Sequence, residues 1–278
     1  MITIRVLSWN LYHGRDFPPD PALFTWRSRL FRVTERNDTH AQVNRPLLGE
    51  FAELLARLEW DVALLQEAPP RWFRTFSERL GASGALALTS RNLVPALQRR
   101  LAECNPDLLA SSEGGSNQLL ARGRIVAVRR MTLARFPERR RMLCVRLNMA
   151  EGEVCVANVH ASAGLPVRAA AEVEAAAERA VAWAGDDPLL FGGDLNLRPR
   201  RDPEPFARVR DRFDLRDATE PDAIDHLLVR GLDVVEPPAP LRPELREVIG
   251  PDGLRLRLSD HAPVVASFAF REEARATA

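Results

Sequence analysis

The sequence predicts an α/β fold, and three features carry that prediction. Short apolar runs stop abruptly at polar residues, as at Leu189-Leu190-Phe191 before Gly192-Gly193-Asp194 and at Val62-Ala63-Leu64-Leu65 before Gln66-Glu67. Such runs read as strands of a sheet covered on both faces. Segments with apolar residues at helical spacing lie between them: residues 47–59 (Leu47, Phe51, Leu54, Leu55, Leu58) and the alanine-rich 169–183. A strand ending at His160, that second helix, and a strand ending at Asp194 then follow in the order of a crossover unit.

Taken in order, residues 2–9 form a first strand, with Ile4 and Val6 on one face and Arg5 and Leu7 on the other. Periodicity breaks after Asn10, and residues 15–45 read as a long insertion with one short helix near 21–31, placed to act as a substrate lid. After the strand 61–67, Pro69-Pro70 prevents its continuation, and residues 71–80 and 94–104 read as helices. Gly114-Gly115-Ser116-Asn117 is expected to be a turn feeding 118–121, followed by a strand over 124–129. Arg139-Arg140-Arg141 reads as a solvated hairpin tip before 142–147, and 154–160 as a strand. Residues 205–213 read as a helix, 224–229 as a strand, 237–243 as a proline-rich loop, 254–258 as an alternating strand and 263–270 as the last strand. No repeat or linker divides the chain. We expect one domain over 1–270 and a fraying polar tail over 271–278.

At 278 residues and 46% hydrophobic content the chain can bury a sizeable core. Its 39 basic and 38 acidic residues leave a formal charge of +1, so bulk charge does not announce a nucleic-acid binder. Every basic residue is Arg, which we read as coding bias, because exposed helical positions such as Arg57 and Arg179 are Arg too. Cys104, Cys144 and Cys155 form no CxxC pair and are odd in number. That argues against a zinc cluster or disulfide frame and for buried thiols in a reducing compartment. The N-terminus has no signal-peptide core, and no apolar stretch reaches the ~20 residues a bilayer span needs. A soluble, cytoplasmic, monomeric protein is expected, without membrane insertion.

The strand ends collect Asn10, Glu67, His160, Asp194 with Asn196, Asp225, and Asp260 with His261. Ligand sites of α/β sheets lie outside the carboxyl ends of strands, so these scattered residues can share one rim. If the chain stays extended after β-strand 189–194, Asp194 and Asn196 face one spot. Carboxylates and amides without thiolates suit Mg²⁺ or Mn²⁺, and two histidines add an acid and a base near neutral pH. Together they describe metal-assisted hydrolysis of a phosphate ester. His226 is expected to be structural; His13, three residues after Asn10, is expected in a surface loop, with lining the site as the alternative; and His40 has no assignable task.

These residues resemble the endonuclease/exonuclease/phosphatase superfamily, of deoxyribonuclease I type. The matching segments are Leu7-Ser8-Trp9-Asn10, Leu64-Leu65-Gln66-Glu67, Ala157-Asn158-Val159-His160, Gly193-Asp194-Leu195-Asn196, Ile224-Asp225-His226 and Ser259-Asp260-His261, in the family's order. The resemblance implies a four-layer sandwich, two packed mixed β-sheets flanked by helices. It implies that Asn10, Glu67 and Asp260 bind the divalent cation, that Asp194 positions the attacking water, and that Asn196 bonds a phosphoryl oxygen. It implies that His261, oriented by Asp225, is a base or a phosphate-stabilising cation, and that His160 is an acid or a phosphate ligand. Asn117 matches a phosphate-contacting position loosely, and Arg198 with Arg200 and Arg201 stands where a substrate phosphate could be met. Relatives acting on abasic DNA carry a tyrosine where His160 stands, which points away from base-excision repair. The implied activity is a phosphodiesterase, a nuclease first. A phosphatase or phospholipase acting on a small-molecule, inositol or lipid phosphoester is the alternative, and a catalytically silent phosphate-binding protein the second.

Overall fold

The computed structural model describes residues 3–90, 94–136, 139–150 and 152–271. Its strands are β1 (Thr3–Asn10), β2 (Glu35–Arg36), β3 (Ala41–Gln42), β4 (Val62–Ala68), β5 (Ser83–Leu88), β6 (Ser116–Ala121), β7 (Arg124–Ala134), β8 (Arg140–Met149), β9 (Gly152–His160), β10 (Leu189–Asp194), β11 (Asp225–Arg230), β12 (Leu232–Pro240), β13 (Glu247–Ile249), β14 (Arg255–Arg257) and β15 (Val264–Phe270). Its helices are α1 (Trp26–Phe31), α2 (Leu48–Arg57), α3 (Phe73–Leu80), α4 (Pro95–Cys104), α5 (Pro106–Leu109), α6 (Pro166–Ala184) and α7 (Pro203–Phe213).

Alternation along the strands builds the layers. In β1, Ile4 and Val6 enter one apolar cluster while Leu7 and Trp9 enter another, and in β4 Val62 and Leu64 separate from Ala63 and Leu65 in the same way. The first cluster also takes Val154 and Val156 of β9 and Leu190 of β10, so it is the seam between two sheets. One sheet has the order β12-β15-β1-β4-β6-β5 and the other β11-β10-β9-β8-β7. Trp9, Phe51, Trp72 and Phe76 pack α2 and α3 onto the outer face of the first. Cys155, Ala157, Phe191 and the alanine stripe of α6 (Ala169, Ala176, Ala177, Ala180) pack the outer face of the second. The result is the helix–sheet–sheet–helix sandwich, with both sheets mixed. Each fully buried Val or Leu in the seam contributes about 1.5 to 3 kcal/mol by leaving water.

Two parallel pairs set the active rim. β1 runs parallel to β4, with Asn10 opposite Gln66, and β9 runs parallel to β10, with His160 opposite Asp194. β11 returns antiparallel along β10, so Asp225 also lies opposite Asp194. β15 starts beside the end of β1, because the two are antiparallel, and thereby brings Asp260 and His261 to the same end. Two glycines permit this packing. A Cβ on Gly193, whose φ is +126°, would lie 2.0 Å from the Val159 carbonyl, and one on Gly192 would lie 2.3 Å from the His226 carbonyl.

Several expectations need correction. Arg140 and Arg141 are not a tip but the start of β8. The proline-rich stretch runs as far as Pro240 inside β12, which lies at the edge of its sheet, where missing amide donors cost least. Its pairing with β15 slips at Val234/Glu236 and Glu236/Ala239. β5 lacks a long apolar run and went unread, although it closes the other edge of that sheet. Asn117 lies within β6 rather than in a turn. The insertion holds α1 as expected and also the small β2–β3 hairpin. Cys144 and Cys155 are buried, but Cys104 is exposed. No helix among the described residues is long and apolar enough to cross a membrane. Residues 272–278 of the tail lie outside the described residues.

Candidate active site

Asp194 is the centre of the rim. Its carboxylate Oδ2 accepts a 3.0 Å hydrogen bond from Asn10 Nδ2, lies 3.5 Å from His160 Nε2 and 3.9 Å from His261 Nε2, and Oδ1 accepts from the Asn196 backbone at 3.0 Å. Glu67 sits at an irregularity in the β4–β6 pairing with φ +46°, a strained conformation that turns its side chain to the rim. There its oxygens lie 3.3 Å from His13 Nε2 and 3.7 Å from His160 Nε2. Asp260 approaches from the β15 side, with Oδ1 3.9 Å from His261 Nε2. Asp225 completes the set through a 2.7 Å bond to His261 Nδ1.

A buried polar frame holds these groups. Trp9 Nε1 donates to the His261 carbonyl at 3.0 Å, and Ser259 Oγ donates to the Asn10 carbonyl at 2.6 Å while accepting from His261 N. Just inside the rim, Asn158 ties the sheets together: its Nδ2 donates to the carbonyls of Leu65 and Gln118, and its Oδ1 accepts from Gln66 Nε2 at 2.8 Å. Asn158 stands in the motif before His160, yet its role was invisible in sequence because its partners lie on another sheet.

The electrostatics divide the groups. Burial, then the Asp225 carboxylate beside it, raises Asp194 to about 7, against the pull of His261 and Asn10. Burial opposes a charge on His261, but Asp225, Asp194 and Asp260 outweigh it and raise the imidazole to about 10. Burial lowers His160 to about 3, helped by Arg140, His261 and His13 against Glu67. A guanidinium can only donate, and Arg140 Nη1 lies 3.2 Å from His160 Nδ1. The His160 proton therefore sits on Nε2, facing Glu67 and Asp194. Burial would raise Glu67, but the nearby imidazoles, His13 first, hold it below the usual carboxylate range. Asp260 is raised by burial and by Glu67.

The donor set fits a hard divalent cation. Four carboxylates, from Glu67, Asp194, Asp225 and Asp260, meet here without a thiolate; Asp194 and Asp260 are pushed up by burial and by neighbouring carboxylates, Asp225 and Glu67 for the first and Glu67 for the second. Asp225 Oδ1 is buried without a hydrogen-bond partner. Facing atoms of Asp194, Asp225 and His261 lie within 4.8 Å of one another. Since the Asp225–His261 contact is itself a 2.7 Å hydrogen bond, that trio reads as an oriented histidine beside a carboxylate.

The structure thus brings together Asn10, Glu67, His160, Asp194, Asp225, Asp260 and His261, and it leaves two expected residues apart. Asn117 is fully enclosed and spends Nδ2 on the Arg141 carbonyl at 2.8 Å, and Arg198 is exposed on the loop after β10. Asn196 is adjacent but not extended. Its φ of +52° ends the strand geometry, and its Nδ2 donates to the Ala161 carbonyl at 3.1 Å. His13 is a correction: it reaches Glu67 rather than solvent. Arg140, expected at a solvated tip, instead touches His160. His226 is a core residue with Nε2 2.9 Å from the Leu197 carbonyl, and His40 pairs with Glu247 at 3.1 Å.

A sequence profile described as the Endonuclease/Exonuclease/phosphatase family matches residues 7–261. Comparison with curated proteins gives no significant match. Among solved structures, the human Nocturnin catalytic domain with bound sulfate is similar at TM-score 0.65 and 19% identity, over 97% of this chain and 95% of that one. A mannosyl-6-phosphatase from Bacteroides thetaiotaomicron is similar at TM-score 0.63 and 13% identity, over 96% of this chain and 100% of that one. TDP2 from C. elegans is similar at TM-score 0.59 and 16% identity, over 96% and 75%. At these identities the likeness establishes the fold.

Proposed function

The chain belongs to the Endonuclease/Exonuclease/phosphatase family, and from that premise we propose that it is a divalent-metal-dependent phosphodiesterase acting on nucleic acid. The observation that carries the reading is the meeting at one rim of Asn10 and His261, from the β1 and β15 side, with Asp194, His160 and Asp225 of the other sheet. Asn10, Glu67 and Asp260 would hold Mg²⁺ or Mn²⁺, which when bound supplies Lewis-acid charge to a phosphate oxygen.

The protein's own groups do the rest. Asp194, raised into the neutral range, is matched to orient a water and accept its proton. His261, kept protonated by Asp225, serves as a cation for the phosphoryl oxygens. His160, neutral with its proton on Nε2, donates a hydrogen bond to phosphate and is too weak a base to accept one at neutral pH. The Asn196 backbone amide holds Asp194 in place.

Turnover of bis-p-nitrophenyl phosphate with Mn²⁺ tests the reading. Wild type is expected to hydrolyse it, and Asp194→Ala and His261→Ala are expected to lose at least about a hundredfold in kcat. Equal rates in all three proteins would exclude this assignment, and no turnover in any of them would leave only a phosphate-binding role. A lipid phosphoester is the second reading, because α1 exposes Trp26 (67%), Leu30 (57%) and Phe31 (62%) beside Arg27 and Arg29, a composition suited to a membrane interface. Faster hydrolysis of vesicle-borne phosphodiesters than of oligonucleotides would favour it.

A further inference from the structure

A recess of about 240 Å³ is lined by Tyr12, Arg15, Phe17, Phe24, Arg29 and Asp107. It adjoins the cation site: Tyr12 is two residues beyond Asn10, and its backbone N–H donates to Asn10 Oδ1 at 3.0 Å. Its walls are chemically mixed. Phe17 packs against Phe24 with ring centroids 5.1 Å apart and stands edge-on to Tyr12 at 6.0 Å. The Arg15 guanidinium lies 3.6 Å over the Tyr12 ring, and Arg29 is exposed at the mouth.

The recess is also preformed. Asp107 is buried, its Oδ2 accepting from Gln42 Nε2 at 2.7 Å and its backbone N–H donating to Asn44 Oδ1 at 3.1 Å. Asn44 Nδ2 in turn donates to Asn105 Oδ1 at 2.7 Å, which joins the insertion to the start of α5. Although these rings pack on one another, Phe17 remains 39% exposed and the space beside it stays open, which leaves its outer face for a ligand.

Flat aromatic faces, a carboxylate acceptor and guanidinium donors in one small recess match a heterocyclic base attached to a phosphate. The space suits one base and is too small for a base pair. Resting on the nucleic-acid reading above, we propose that this recess seats one unpaired nucleobase next to the scissile phosphate. The base stacks on the exposed ring of Phe17, which Phe24 backs, and donates to Asp107, while the flanking phosphate meets Arg29. Phe17, Phe24 and Asp107 are thus specificity residues that favour single strands and frayed ends over duplex.

The test measures kcat and KM with Mn²⁺ on bis-p-nitrophenyl phosphate, a single-stranded oligonucleotide and its blunt duplex, in wild type, Phe17→Ala and Asp107→Asn. Wild type is expected to cut the single strand at least about tenfold faster than the duplex. Phe17→Ala is expected to lose about tenfold in kcat/KM on the single strand, mostly through KM, with bis-p-nitrophenyl phosphate turnover unchanged. Asp107→Asn, which keeps the shape should Phe17→Ala disturb the insertion, is expected to weaken bases that carry an exocyclic amino donor (adenine, cytosine, guanine) more than thymine, whose one donor is its N3–H. Turnover of the small diester with no preference for single strand, with neither oligonucleotide cut, or with unaltered cutting in both variants overturns this proposal and spares the hydrolase reading. Absence of any wild-type turnover overturns both.

Discussion

The crossover from β9 through α6 to β10 and the insertion over residues 15–45 meet at the same rim but are held by different forces. The crossover is bonded by apolar burial on both faces: Val154, Val156 and Leu190 in the seam, and Cys155, Ala157, Phe191 and the α6 alanines outside it. The insertion is pinned by discrete polar bonds. Asp16 Oδ2 accepts from Val43 N at 2.8 Å, Asn44 Nδ2 donates to the carbonyls of Ser28 and Arg29, and Thr25 Oγ1 donates to Glu35. The lesson is a division of labour. Groups that must not move, His160 and Asp194, stand on the apolar frame, while the walls that select a substrate stand on a part whose fit depends on a few hydrogen bonds.

That comparison can be broken at either end. Leu190→Ala in the seam should destabilise the whole domain by about 2 to 5 kcal/mol, read as a shift of one cooperative denaturant transition. A smaller effect with a separate early transition would mean that the two sheets do not unfold together.

Asp16 should act more weakly and with the opposite sign at neutral pH. It is 1% exposed, and burial holds its carboxyl well above the usual 3.8, with the Val43 N–H bond opposing and Asp107 adding to the rise. Its folded-state pKa is raised above the unfolded value. The stability its proton provides is therefore complete below pH 3.8 and is lost as pH rises through the folded value. Asp16→Asn removes the buried charge and should be more stable than wild type at pH 8 by about 1 to 3 kcal/mol, with the gap shrinking toward pH 4. A gap that widens on acidification would contradict this. The smallest effect belongs to Asn44→Ala. It should cost about 1 kcal/mol in global stability while hydrogen exchange speeds up selectively over residues 15–45. Uniform acceleration across β9 and β10 would contradict the division.

The same contrast explains what could be read in the sequence. Asp194 and Glu67 were legible because each ends a run whose apolar pattern marks a buried strand, and the helices packing those strands carry their own periodicity. His13 was not, since it becomes part of the rim only through a turn with φ +54° that no residue pattern announces. Arg140 and Asn158 act across strands and across sheets, so their neighbours in sequence say nothing of their partners. The weak alternation of β5 and the prolines of β12 hid edge strands whose pairing comes from the neighbouring strand. The extended Asp194–Asn196 geometry fails because the strand ends two residues before the chain turns left-handed at Asn196.

The central claim is that Asn10, Glu67 and Asp260 form one cation site at the junction of the two sheets, distinct from the acidic group in the insertion recess. Calorimetric titration of Mn²⁺ into wild type, Glu67→Gln and Asp107→Asn examines it without requiring turnover. The account predicts that Glu67→Gln weakens Mn²⁺ binding at least about tenfold, the loss of one charged ligand to a hard cation, and that Asp107→Asn leaves it unchanged. Wild-type affinity in Glu67→Gln, or a loss confined to Asp107→Asn, would contradict it.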